Sequence, residues 1–147
     1  MKYKAVIWDM DGVLVDTGDL HYRSWRDISR TFGYEYSREQ FDKDFGMKNP
    51  DILKRMMGED TPPSFIKKFC DRKEDLFLEM IRGKIEPMQG VVPILDNLRE
   101  RDIPMAVASS SPMHNINTLL KEMGISSYFD AILSVGDLPG KPDPAVF

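Results

Sequence analysis

Val6-Ile7-Trp8-Asp9-Met10-Asp11-Gly12-Val13-Leu14-Val15-Asp16-Thr17 is the stretch from which the rest of the chain is read. An apolar run stops at two carboxylates one residue apart, and a glycine follows. Lys4 to Trp8 predicts a short buried strand, because β-branched and aromatic residues dominate it and a breaker comes next. Asp9 then stands at the strand's carboxyl end, where open α/β sheets place their ligands. Strand alternation turns Met10 away from Asp9 and brings Asp11 back toward the same side. Two close carboxylates repel and need a cation or a shared proton. Mg²⁺, a hard ion that takes carboxylate and carbonyl oxygens, meets that need.

Composition bounds the answer. At 147 residues the chain predicts one domain, or one core with a small insertion. An apolar fraction of 41% and a charged fraction of 30% are those of a soluble globular protein. A net charge of −4 leaves no basic footprint for nucleic acid. No apolar stretch approaches the roughly 20 residues of a membrane span. Met1-Lys2-Tyr3-Lys4 is basic, but the apolar run behind it stops at Asp9, which excludes a signal peptide. The single cysteine, Cys70, excludes an intramolecular disulfide and reads as a buried or half-buried thiol. A reducing, cytoplasmic setting is the simplest fit.

From residue 16 to about 87 the pattern is helical. Leu20, Trp25, Ile28 and Phe32 recur at helical spacing, with Trp25 expected in a core. Ser37 and Gln40 form a helix start. Pro50 opens another helix, with Ile52, Leu53, Met56 and Met57 on its apolar side. Ser64 is expected to cap a longer helix that carries Phe65, Ile66, Phe69, Leu76, Phe77, Met80 and Ile81. The pattern then changes. Val91 to Arg101 reads as a helix with Ile94, Leu95 and Leu98 inward, Ile103 to Ala108 as a strand, Asn115 to Met123 as a helix, and Ala131 to Val135 as a strand. That alternation predicts a parallel sheet.

Two further motifs carry chemistry. Ala106-Val107-Ala108-Ser109-Ser110-Ser111-Pro112 ends a strand in hydroxyls at a helix start, where free N–H groups and hydroxyls suit a phosphate. Ser111 alone would serve as a helix cap. Gly140-Lys141-Pro142-Asp143-Pro144-Ala145-Val146-Phe147 fixes a lysine in a glycine- and proline-bound loop, and a cation near spread negative charge stabilises it.

The dodecamer resembles the aspartate-nucleophile signature of the haloacid dehalogenase-like (HAD) superfamily, D-x-D-G-x-[LV]-x-[DST], in the helical-cap phosphatase and β-phosphoglucomutase-like branch. The Gly140–Phe147 stretch is similar to that family's G-K-P-x-P-x-x-F signature. The resemblance implies Asp9 as nucleophile and Asp11 as general acid and base, with both in the Mg²⁺ site. It implies Ser109 as holder of the transferring phosphoryl group, with Ser110 and Gly12 beside it, and Lys141 as the neutralising cation. The dehalogenases that named the superfamily generally lack the second Asp, so Asp11 favours phosphoryl transfer.

The implied fold is α/β: a Rossmann-like parallel-sheet core, residues 1–15 and 88–147, with an inserted helical cap, residues 16–87. In the family that cap closes over the nucleophile and selects substrate. His21 falls where the branch often places a hinge histidine, either bridging Asp11 and a leaving group or packing the hinge. Gly46-Met47-Lys48-Asn49 occupies the substrate-facing cap loop. Mutases often place an Arg there, whereas this chain has Lys48 and Asn49.

The family's fourth signature, one or two acidic residues after a further strand, does not occur before Phe147. The expectation is therefore a core incomplete at its C-terminal side, binding Mg²⁺ weakly and turning over poorly. Strand one would be an exposed edge, open to self-association. The function implied is Mg²⁺-dependent hydrolysis of a small phosphorylated metabolite through an aspartyl-phosphate. A β-phosphoglucomutase-like phosphosugar mutase and an inactive fragment that only binds phosphate are the alternatives.

Overall fold

The computed structural model describes residues 4–134 and Leu138. Contacts divide the chain into two compact units, Met1–Gly18 with Arg82–Phe147, and Asp19–Ile81.

The first unit holds the sheet. Strands β1 (Val6–Trp8), β2 (Met105–Ser109) and β3 (Ala131–Ser134) lie parallel in the order β1-β2-β3. Val6 pairs with Met105 and Trp8 with Val107, while Ala106 pairs with Ala131 and Ser109 with Ser134. β2 is flanked on both sides, so Met105, Val107, Ala108 and Ser109 are all buried. β1 differs from the expected buried strand. Among the described residues it pairs with β2 alone, and Ile7 is 43% exposed. An apolar run signals burial, but an edge strand covers fewer of its side chains. The indole N–H of Trp8 is buried and has no partner among the described residues.

Helix α5 (Val91–Arg99) precedes β2, and α6 (Met113–Glu122) with a 3₁₀ turn (Ser126–Tyr128) leads into β3. α5 starts at Gly90, whose φ of 89° lies in the left-handed region that glycine enters without steric cost. Val91 and Leu95 form its buried stripe one turn apart, and Leu98 is half-buried. Ile94 is 51% exposed, contrary to the inward placement expected, because it lies off that stripe.

The second unit is helical: α1 (Gly18–Thr31), α2 (Arg38–Asp44), α3 (Asn49–Met57) and α4 (Pro63–Ile81). Ser37 caps α2 by accepting the Gln40 N–H, as its sequence pattern predicts. Ser64 does not cap α4. The helix begins at Pro63, and the Pro62 carbonyl accepts the N–H groups of Phe65 and Ile66. Proline suits the first helical position, where no N–H is needed, and this pulls the start forward.

Trp25, Ile28, Tyr36, Phe41, Ile52, Leu53, Ile66 and Phe69 make the core of this unit. Trp25 lies 5.6 Å from Phe69 and 5.4 Å from Tyr36 between ring centroids, within the range of favourable aromatic pairs. Asp44 is buried but satisfied: Tyr36 Oη donates to it at 3.1 Å and Arg55 at 2.5 Å. None of the described helices is long and apolar enough to cross a membrane.

Candidate active site

Asp9 follows directly on β1, and its Oδ1 accepts the N–H of Met10 at 2.8 Å. The chain then folds back on itself. The carbonyl of Met10 receives the N–H groups of Val13, Leu14 and Val15, and Gly12 donates to the Val15 carbonyl at 2.8 Å. Gly12 has φ of 77°, so a larger residue would be strained even though open space surrounds it. Met10, Leu14 and Val15 are almost fully buried, and this apolar plug anchors the turn. Asp9 and Asp11 are left half-buried at the sheet's carboxyl end.

Two hydroxyls hold Asp11. Thr17 Oγ1 donates to Oδ1 at 2.5 Å, and Ser111 Oγ donates to Oδ2 at 3.3 Å. Thr17 is fully buried. Ser109 is also buried, and its Oγ accepts the Ser111 N–H at 3.1 Å. Ser134, at the end of β3, donates to the Ser111 carbonyl at 2.8 Å. The ends of all three strands therefore meet: β1 brings the carboxylates, β2 the serines, and β3 a strut for the serine turn. Ser110 lies within that turn, half-buried.

Ser111 is not the cap of α6. Pro112 occupies that position without a side-chain cap, and its carbonyl accepts from Asn115 and Ile116. The Ser111 hydroxyl serves Asp11 instead. Thr17 and Ser134 were not singled out by sequence reasoning. Thr17 lay within the quoted stretch, and Ser134 is reached only through its register with Ser109. Lys141 lies outside the described residues.

His21, Lys48 and Asn49 belong to the helical unit. Lys48 precedes α3 as its N-cap residue. Asn49 Nδ2 donates to Glu74 Oε1 at 2.5 Å, and Lys73 Nζ donates to the same oxygen at 2.9 Å. Lys73 Nζ also lies 2.9 Å from His21 Nδ1, and the His21 ring stacks on Phe77 at 4.0 Å. His21 and Asn49 are thus ends of one polar chain through two residues that sequence reasoning did not name. Burial pushes the Glu74 carboxyl up, but the Lys73 ammonium and the hydrogen bonds from Lys73 and Asn49 outweigh it, and the net direction is below the ordinary carboxylate value.

Among the described residues no group of three or more His, Cys, Asp or Glu is placed to hold a metal ion. The oxygen donors of the site are those of Asp9 and Asp11, which suit a hard ion that keeps several waters.

The family model described as haloacid dehalogenase-like hydrolase matches residues 6–147. The chain belongs to that family. Among curated HAD relatives, a phosphorylated carbohydrates phosphatase of Thermotoga maritima is 28% identical over 150 residues, covering 98% of this chain and 67% of that protein. A β-phosphoglucomutase of Bacillus subtilis is 29% identical over 153 residues, covering 98% of this chain and 66% of that protein. The HAD chain spans about two thirds of the length of these relatives. Among solved structures, a β-phosphoglucomutase of Clostridium difficile superposes with a TM-score of 0.87 at 24% identity, covering 99% of this chain and 68% of that one. The α/β fold with its parallel sheet is the HAD fold.

Proposed function

We propose that this chain carries the nucleophile and the acid–base residue of a phosphomonoester phosphatase that works through an aspartyl-phosphate. The observation that carries the reading is Asp11, gripped by two hydroxyls, two residues after the carboxylate that ends β1. Asp9 attacks phosphorus while Asp11 gives its proton to the leaving oxygen. Asp11 then takes a proton from the water that attacks the acyl phosphate, which releases phosphate and restores Asp9. A hydroxyl both donates and accepts, so Thr17 and Ser111 can serve Asp11 in either protonation state. Ser109 and Ser110, with Gly12, would bind the phosphoryl oxygens, and Lys141 would balance their charge.

Mg²⁺ would be held by the Asp9 carboxylate and the Asp11 main-chain carbonyl, with water completing the shell. When bound, it supplies positive charge to the phosphoryl group. The substrate is a small phosphorylated metabolite, in keeping with the name of the Thermotoga relative. The helical unit would be the cap that selects it. Cys70, half-buried and with its thiol pushed up to about 11 chiefly by burial, suits a reducing, cytoplasmic setting.

The Bacillus relative's name supports the mutase as a second reading. The amide of Asn49 is committed to Glu74, a carboxylate, and that weighs against a second phosphate at this loop.

Mg²⁺-dependent hydrolysis of a generic aryl phosphate by the 147-residue chain tests the proposal. The expected result is turnover that disappears in Asp9→Asn. Turnover that survives this change overturns it. Dependence on a bisphosphate activator would select the mutase, and binding of a phosphate analogue without turnover would select an inert fragment.

A further inference from the structure

We propose that Lys73 fixes His21 as the neutral imidazole protonated on Nε2, so that the helical unit offers a hydrogen-bond donor at this position and no base. Lys73 Nζ and His21 Nδ1 are 2.9 Å apart. An ammonium has three donors and no acceptor. Nδ1 must therefore accept, because a proton there would set two donors against each other. The imidazolium is excluded by the same contact, which would bring two positive charges to hydrogen-bond distance.

The remaining arrangement, a neutral lysine accepting from the ring, conflicts with the surroundings of Lys73. Its Nζ donates to Glu74 Oε1 at 2.9 Å, and it lies 5.2 Å from the Phe77 ring centroid and 5.9 Å from that of Trp25. A carboxylate and two aromatic faces all favour the cation. The Lys73 side chain is 1% exposed, so the Glu74 pairing is what lets a charge persist there. Phe77 clamps the ring with an interplanar angle of 3°, which sets the direction of the remaining nitrogen. Lys73 is thus a positioning residue for His21, and Glu74 holds Lys73 in its charged form.

One consequence rests on the phosphatase reading: His21 takes no part in proton removal, which falls to Asp11 alone. The tautomer itself stands or falls without any assay of activity.

The test is a two-bond ¹H–¹⁵N correlation spectrum of the histidine rings in the full chain near pH 7. The chain has two histidines, His21 and the exposed His114, so His114→Gln assigns the signals. The expected spectrum shows His21 with a bare Nδ1 and a protonated Nε2. In Lys73→Met, which keeps the volume but removes the donor, His21 is expected to lose that single pattern and become mixed or imidazolium-like. A His21 protonated on Nδ1 or on both nitrogens in the unaltered chain overturns the proposal. So does an unchanged His21 pattern in a folded Lys73→Met variant. Should that variant not fold, the spectrum of the unaltered chain decides alone.

Discussion

Thr17 and Ser111 approach opposite oxygens of Asp11 but contribute unequally. The Thr17 bond is 2.5 Å and comes from a buried residue, whereas that of Ser111 is 3.3 Å and comes from a half-buried one. Thr17→Val, which keeps the shape and removes the hydroxyl, is expected to cost about 1–3 kcal/mol in urea denaturation, with Ser111→Ala costing less. At Glu74 the folded carboxyl lies below its ordinary value, so its stabilisation is fully present above about pH 4.3 and is lost as the pH falls through the folded value. Urea midpoints measured between about pH 6 and 3 should decline less steeply in Glu74→Gln than in the unaltered chain. The candidate site was legible where residue type and strand position suffice, as at Asp9, Asp11 and Ser109. Thr17, Ser134 and Lys73 were not, because a hydroxyl or an ammonium chooses its partner by distance in three dimensions. Ser111 shows the cost of local reasoning: it has the composition of a cap, and its hydroxyl went to a carboxylate a hundred residues away in the chain.

Helices were legible from spacing because each buries a stripe, and the stripe repeats in the sequence. Their ends were less so. Pro63 and Ser64 are both good helix openers, and the proline took the position because it needs no N–H partner. At α5, three apolar residues suggested one face, yet Val91 and Leu95 define the buried stripe and leave Ile94 outside it. The entry to α5 carries a sharper prediction. Gly90→Ala places a side chain on a left-handed backbone and is expected to cost roughly 1–2 kcal/mol, seen as a lower melting temperature. In the helical unit, Phe69 is fully buried and lies within aromatic range of Trp25, Phe32 and Phe65. Phe69→Ala is expected to cost about 3–5 kcal/mol there. Hydrogen exchange should speed up across α1 and α4 while β2 remains protected, if each unit opens on its own core.

At the scale of the molecule, two cores share one chain, and the sheet between β1 and β3 is short. β1, with Ile7 exposed, pairs on one side only among the described residues and is open to unwanted pairing. Ile7→Lys is expected to change stability by no more than about 0.5 kcal/mol and to reduce any concentration-dependent association measured by sedimentation. The parallel order was readable from the alternation of strand and helix patterns. The edge was an expectation drawn from the missing fourth signature, since the apolar run itself argues for burial. The chain has two tryptophans, and they are divided between the units: Trp8 closes the strand before Asp9, and Trp25 sits in the helical core. Each unit therefore contains its own fluorophore. Replacing Trp25 with Phe leaves an emission that belongs to the strand bearing the nucleophile, and replacing Trp8 leaves one that belongs to the helices. Light alone can then follow two melting events that a calorimeter would add together.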